Sequence, residues 1–262
     1  MKALIIDASV KSSAKAGFYH DLTVKVEGGK ILACKAWKHG EETLPAVGEV
    51  YELTGKADMW NGVEQFTITG YQLLEEVDRG IFAAPAPFDV DTMYAELIGL
   101  LSDHIKNKFL IGLISKFDFS YGERFTKSQA AVTHHHAYAG GLLKHTATMA
   151  RIAIKVAPEY NGLNLELLLI GVLLHDIGKI KEIQNGIFSQ DGVMEGHIFM
   201  SAMIAEKFMD KIDGFPSDMR QAITHMILSH HGKKEWGSPV EPATQEAKLL
   251  HLIDMMDSQV EK

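Results

Sequence analysis

Two periodicities divide the chain. From Ala3 to about Leu74 apolar residues recur at alternate positions, and from Met93 onward they recur at intervals of three and four. In the first stretch Leu22, Val24 and Val26 alternate with Asp21, Thr23 and Lys25, and Gly28-Gly29 follows as a hairpin turn. The next strand, Lys30 to Trp37, puts Leu32, Cys34 and Ala36 on one face. Further strands are expected near Val50 to Ala57 and, after an Asn61-Gly62 turn, from Gln65 to Leu74. With the opening stretch Ala3 to Lys11 that makes about five short strands. Such a count predicts a small five-stranded barrel of OB type, and a five-stranded SH3-type barrel fits the same pattern.

Residues 82 to 91, Phe-Ala-Ala-Pro-Ala-Pro-Phe-Asp-Val-Asp, change the character of the chain. Pro85 and Pro87 oppose helix and favour an extended path. Beyond them, helical spacing predicts helices at Met93 to Phe109, Leu142 to Val156, Leu165 to His175, Ala202 to Ile212, Met219 to His230 and Gln245 to Val260. The segment from Leu165 to Leu174 is apolar nearly all round, the mark of a central buried helix. The expected fold class is thus two-domain, β then α: a barrel over residues 1–80, a linker over 81–92, and an all-α bundle over 93–262. No internal repeat or low-complexity tract interrupts this order.

Composition narrows the setting. Apolar content of 46% and charged content of 23% are ordinary for a globular protein in water. The single Cys34 excludes a disulfide framework and fits a reducing compartment. No apolar run reaches the length of a membrane span, and Asp7 cuts the opening apolar stretch too short for a signal peptide. A cytoplasmic protein without a membrane partner is expected. Net charge is −8, which argues against a protein that coats nucleic acid generally but allows a local basic groove.

Histidine is the informative excess, at 13 residues, most of them beyond position 133. His175 and Asp176 sit side by side where the apolar helix ends, and an imidazole and a carboxylate there are costly to bury unpaired. A hydrogen-bonded pair would remove that cost, and so would a divalent metal. Their companions favour the metal. His145 stands near an expected helix start, His197 follows Glu195-Gly196, His230-His231 close a helix stopped by Gly232, and Asp254 lies within an apolar helix. Seven side chains, His145, His175, Asp176, His197, His230, His231 and Asp254, could converge inside one bundle. Mixed imidazole and carboxylate ligands suit one or two transition-metal ions, Mn first, with Fe, Co, Zn or Mg as alternatives. His225 and His251 share helices with His230 and Asp254 and are expected to pack or to support the ligands. Lys179, four residues past His175, is placed for a phosphate contact.

The order His145, then His175-Asp176, then Asp254 resembles the signature of the HD phosphohydrolase superfamily, and Ile177-Gly178-Lys179 continues the resemblance. The cyclic-dinucleotide phosphodiesterases of its HD-GYP branch share part of this pattern, but their Gly-Tyr-Pro is absent. Residues His135-His136-Ala137-Tyr138-Ala139-Gly140-Gly141-Leu142-Leu143-Lys144-His145-Thr146 and Leu228-Ser229-His230-His231-Gly232-Lys233-Lys234-Glu235-Trp236-Gly237-Ser238-Pro239 are similar to the YhaM family of 3′-to-5′ exoribonucleases. That resemblance implies an N-terminal OB-type domain that binds nucleic acid and a C-terminal HD domain. It also implies release of nucleoside 5′-monophosphates. The chain starts directly in its first expected strand and ends eight residues past Asp254, so a compact relative is expected.

The chemistry expected is attack on phosphorus by metal-activated water, with Asp176 bridging two ions and Lys179 neutralising phosphoryl oxygens. His135 and His136 are further candidates for substrate contact. On the barrel, strand parity puts Tyr19, Thr23 and Lys25 together, as it does Lys35 and Trp37, and the four residues Tyr19, Lys25, Lys35 and Trp37 are expected on one face. Aromatics interleaved with lysines suit a single strand, since rings stack bases and ammonium groups meet phosphates. The expected partner is single-stranded RNA or DNA, and a homo-oligomer is compatible with the sequence. A second reading is hydrolysis of cyclic dinucleotides or nucleotides, with the barrel as a partner-binding module.

Overall fold

The computed structural model describes residues 1–13, 17–37, 44–60, 62–77, 79–132, 136–184 and 186–260. His135 and Asn61 therefore lie outside the described residues. The chain divides into two compact units, one formed by Met1–Pro85 with Asn185–Ile187 and the other by the remainder.

In the first unit β1 (Lys2–Ser13), β2 (Gly17–Val26), β3 (Ile31–Trp37), β4 (Val50–Trp60) and β5 (Val63–Leu73) form a closed barrel in the order β1-β2-β3-β5-β4. Pairing of Ala3 with Tyr51 closes it, and β3 runs parallel to β5 from Ala33↔Gln65 to Ala36↔Ile68. This is the OB-type arrangement. The alternating positions read from sequence fill its interior: Ile5, Leu22, Val24, Cys34, Ala36, Leu53 and Ile68 are buried together. Inward side chains at every second position bury one face of each strand, which fixes the register. The register shifts where Ile6 and Thr69 are extra residues, and these bulges bend β1 and β5 around the barrel.

Parity misleads at Lys25. It was expected beside Tyr19 on an accessible face, yet its side chain is only 2% exposed. The chain leaving β5 turns back as a 3-10 segment, Arg79–Phe82, against β1 and β2, and Phe82 is fully buried with Leu4 and Val50. That returning segment covers the end of the strand pair where Lys25 sits. Burial lowers the Lys25 ammonium below the usual lysine range.

The second unit holds α1 (Val90–His104), α2 (Lys108–Lys127), α3 (Gly141–Val156), α4 (Leu165–Leu174), α5 (Lys179–Glu182), α6 (Gln190–Met209), α7 (Ser217–Ser229) and α8 (Gln245–Val260). The apolar α4 is the central element, packed against α1, α2, α3, α7 and α8. A single helix was expected from Met93 to Phe109, and 110 to 127 was not recognised as helical. The chain instead breaks at Ile105, and Asn107 caps α2 by accepting from the Phe109 amide at 2.9 Å. The amides of Lys106 and Asn107 donate to the Glu166 carboxylate at 2.9 and 2.8 Å, which pins this corner to the first turn of α4. The chain beyond residue 92 is also not purely helical, since a two-stranded ribbon, β6 (Ile183–Gln184) and β7 (Ile187–Phe188), precedes α6. Among the described residues no helix is long and apolar enough to cross a membrane.

Candidate active site

Glycines set the approach of the elements that carry the site. Gly140 opens α3 at φ +79°, and a Cβ on Gly141 would stand 1.9 Å from the His136 carbonyl oxygen. The turn after α4 is equally close to α6: a Cβ on Gly178 would lie 2.3 Å from the His197 carbonyl oxygen, and its amide donates to Ser201 Oγ at 2.8 Å. These contacts bring His145 on α3, His175 and Asp176 at the end of α4, and His197 on α6 to one point. His230 and His231 join them from the end of α7, and Asp254 from α8.

Five imidazoles share one orientation. His175 Nδ1 donates to the Val172 carbonyl at 2.9 Å, His230 Nδ1 to Ile227 at 2.7 Å and His231 Nδ1 to Trp236 at 2.9 Å. His145 Nδ1 faces Asp257 Oδ2 at 2.6 Å, and His197 Nδ1 faces Glu182 Oε1 at 2.9 Å. With Nδ1 engaged as donor, each neutral ring keeps its lone pair on Nε2. Those Nε2 atoms converge. His145 and His175 approach to 3.3 Å, and His197 and His231 to 3.2 Å. Two lone pairs at such distances repel unless a proton or a metal cation lies between them.

Asp176 stands between the two pairs. Its Oδ2 lies 3.5 Å from His175 Nε2 and 3.8 Å from His145 Nε2. Its Oδ1 lies 3.4 Å from His197 Nε2 and 3.5 Å from His230 Nε2. Asp254 Oδ1 adds a carboxylate 3.4 Å from His145 Nε2. Both Asp176 Oδ1 and His230 Nε2 are buried and lack a hydrogen-bond partner among the described residues. Orphaned acceptors of this kind, in a set of imidazoles and carboxylates, fit a divalent metal. The seven side chains expected from sequence are thus brought together, in two groups that share Asp176.

The electrostatics agree with charged ligands. Burial acts against ionisation of Asp176, but Lys179 and the surrounding histidines hold its carboxyl well below the usual range. Asp254 is likewise held low, mainly by His145 against the effect of burial. Burial lowers His175 to about 4, so this ring is neutral at pH 7 and its Nε2 is available. Burial also opposes charge on His145, but Asp254 and Asp257 outweigh it and raise the group to about 9.

Other expected residues fall into place or move. Lys179 Nζ pairs with Asp176 Oδ2 at 2.7 Å at the floor of an open cavity of about 320 Å³. Asp254, Trp236, His251 and Ser258 line the same cavity. His136, expected at substrate, is instead 3% exposed and turned inward at φ +60°. Its Nε2 faces Asp257 Oδ2 at 3.1 Å and its Nδ1 faces the Tyr138 hydroxyl at 3.0 Å, so its ring supports the carboxylate that orients His145. His251 Nδ1 donates to the His230 carbonyl at 2.8 Å, the supporting role expected of it. His225 Nε2 accepts from the Ala243 amide at 2.9 Å and takes no part in the cluster.

The role of Asp257 is open in the sequence, and Glu182 does not stand out there at all. Asp257 lies three residues past Asp254 on α8, a spacing that puts two carboxylates on one helical face. Glu182 had no comparable signal. It matters because α6 breaks at Gly196, where φ is +72°, and restarts at His197. The Glu182 carboxylate takes both the His197 amide and its Nδ1 proton at 2.9 Å, so one side chain caps the restarted helix and aims its histidine.

On the barrel, Tyr19 and Trp37 are cross-strand neighbours with ring centroids 4.6 Å apart. Lys35 Nζ lies 5.5 Å from the Tyr19 centroid and 5.7 Å from that of Trp37. Lys11 pairs with Asp21, which offsets that acidic group, and Asp7 stands opposite Thr23. Tyr19, Lys35 and Trp37 thus form a compact aromatic and basic patch, from which buried Lys25 is absent.

Comparison with known proteins sets this geometry in a family. Residues 142–258 match the HD domain family, a span that contains all seven convergent side chains. A 3′-5′ exoribonuclease YhaM of Listeria monocytogenes is 33% identical over 97% of this chain and 83% of its own length. The chain belongs to the YhaM family. A YhaM exoribonuclease of Oceanobacillus iheyensis is 31% identical, covering 98% of this chain and 83% of the relative. One of Bacillus pumilus is 29% identical, with 98% and 84% covered. Among solved structures, the second OB-fold domain of replication protein A from Methanococcus maripaludis aligns with 29% of this chain and 83% of that domain. The two are 14% identical with a TM-score of 0.24.

Proposed function

We propose that this protein is a metal-dependent 3′-to-5′ exoribonuclease acting on single strands, with DNA as a second substrate. The observation that carries this reading is the convergence of four imidazole Nε2 atoms on the two oxygens of Asp176, with His231 Nε2 3.2 Å from that of His197. Such a centre suits phosphodiester hydrolysis. The YhaM relatives and the OB-type barrel favour a strand as substrate over a cyclic dinucleotide. The free and buried Cys34 accords with a reducing compartment such as the cytoplasm.

In this reading His145, His175, Asp176 and Asp254 hold one divalent ion, and Asp176 with His197, His230 and His231 holds a second. Mn is the first choice for both. A bound ion supplies a water-derived nucleophile at neutral pH and offsets charge on phosphoryl oxygens. The protein groups do the rest. Asp176 stays ionised between the two groups of histidines. The Lys179 ammonium, raised by Asp176 against the effect of burial, stays charged and meets a non-bridging oxygen as negative charge accumulates there. The rings of His145 and His197 are fixed by Asp257 and Glu182, so their Nε2 atoms need no reorientation.

Incubation of Mn-loaded protein with 3′-tailed RNA, matched DNA, a cyclic dinucleotide and nucleoside triphosphates tests this. RNA shortened from its 3′ end to 5′-monophosphates is the expected result. Consumption of the cyclic dinucleotide alone would overturn it. Asp176→Ala is expected to abolish hydrolysis and metal retention together. Lys179→Ala is expected to retain metal and lower kcat roughly 30- to 1000-fold, equivalent to about 2–4 kcal/mol.

A further inference from the structure

The cavity beside Asp176 has a wall that the metal centre does not use. Trp236 lines this wall and is 49% exposed. Its place is fixed by the site itself, because its carbonyl oxygen accepts from His231 Nδ1 at 2.9 Å. Lys233 Nζ stands 4.6 Å from the ring centroid, and the His251 ring lies beside it with centroids 6.1 Å apart. The short turn Lys234–Trp236 ends at Gly237, whose φ of +92° turns the chain sharply after the ring. Ser258 and Gln259 add hydrogen-bonding side chains to the same cavity. At about 320 Å³ it lies at the low end of small-molecule sites, which run roughly from 300 to 1,000 Å³, room for one unit of a polymer rather than a folded element.

We propose that Trp236 is the stacking platform for the base of the 3′-terminal nucleotide, which it places so that the scissile phosphate lies at Asp176 and Lys179. An exposed indole on a backbone anchored to His231 is suited to this, since every base has a π-face and stacking is tolerant of sequence. The Lys233 ammonium lies over the ring and polarises the indole, while its ion pair with Glu235 at 3.4 Å offsets part of its charge. The exonuclease reading underlies this proposal, and a terminal-base platform next to the reacting centre gives it a physical basis for acting one nucleotide at a time.

The test compares two single-stranded RNA substrates that differ only at the 3′ end, one with a complete terminal nucleotide and one with a base-less terminal sugar. They are tested on Mn-loaded wild type, Trp236→Phe and Trp236→Ala, with metal content measured in each. Wild type should lose about five- to 150-fold in kcat/KM on the base-less end, the range that one stacked base supplies. Trp236→Ala should fall by a similar factor on the complete strand and by little on the base-less strand, with metal content unchanged. Trp236→Phe should recover part of the discrimination. Equal losses on both substrates, or loss of metal, would show Trp236 to be structural and overturn the platform. Equal wild-type rates on both ends would also overturn it. Failure of wild type to shorten either strand would instead refute the exonuclease reading on which it rests.

Discussion

Asp257 and Glu182 each take the Nδ1 proton of a histidine whose Nε2 faces the centre, and each belongs to a different half of it. Carboxylate partners of metal-bound histidines raise ligand basicity and fix the ring, and their loss commonly costs about 10- to 100-fold in metal affinity. Asp257→Asn should therefore weaken the ion on the His145 side, and Glu182→Gln the ion on the His197 side. Titration of the metal-free variants with Mn, followed by calorimetry, should show one weakened site in each while the other keeps its wild-type affinity. Equal weakening of both sites by either change would mean that the halves are not independent. The seven facing residues were legible in the sequence because His and Asp in apolar segments are chemically conspicuous. Their supporters were not, because a carboxylate that binds a ring looks like any surface acid until folding brings Glu182 to His197 across 15 residues. His136 was misread for a related reason: its neighbours in sequence do not reveal that it points to Asp257, 121 residues away.

Elements position this site through close backbone approach, and Gly178 shows how. A Cβ there would meet the His197 carbonyl oxygen at 2.3 Å and the Ser201 amide nitrogen at 2.8 Å, both backbone atoms that cannot rotate away. Gly178→Ala should push α6 from the turn that carries Asp176, at a cost of about 1–3 kcal/mol in stability. Activity should fall as well, because His197 moves with α6. Gly99→Ala is the matched control. Gly99 is exposed within α1 and a Cβ there meets nothing within 4 Å, so the change should stabilise by about 0.5–1 kcal/mol and leave activity alone. Thermal melts and RNA hydrolysis of the two variants give the comparison, and a stable, active Gly178→Ala protein would remove close packing as the device. The helices of the core were legible by period, and α4 most clearly. The boundaries were not. The break that separates α1 from α2 is set by Glu166, distant in sequence, and the first half of α6 was missed because Gly196 interrupts its pattern.

The molecule joins a barrel with a compact aromatic and basic patch to a bundle with a hydrolytic centre, and net charge of −8 makes the patch more informative. An acidic protein has no general attraction for polyanions, so any strand on the barrel must be held by a few local groups. In the proposed reading Tyr19, Lys35 and Trp37 are those groups, with Lys25 excluded by its burial. Loss of one stacked base costs about 1–3 kcal/mol, so Trp37→Ala should weaken use of a long RNA by about five- to 150-fold. Lys35→Ala should lower the salt slope of binding by about 0.7, the share of one phosphate contact on a single strand, whereas Lys25→Ala should leave that slope unchanged. A dinucleotide supplies the control, because both of its nucleotides flank the scissile phosphate and none is left for the barrel. Its hydrolysis should be the same in wild type, Trp37→Ala and Lys35→Ala. The decisive quantity is the ratio of kcat/KM for long RNA to that for the dinucleotide. A ratio unaltered by Trp37→Ala and Lys35→Ala would deny this face a role in holding the strand and leave substrate recognition to the cavity beside Asp176.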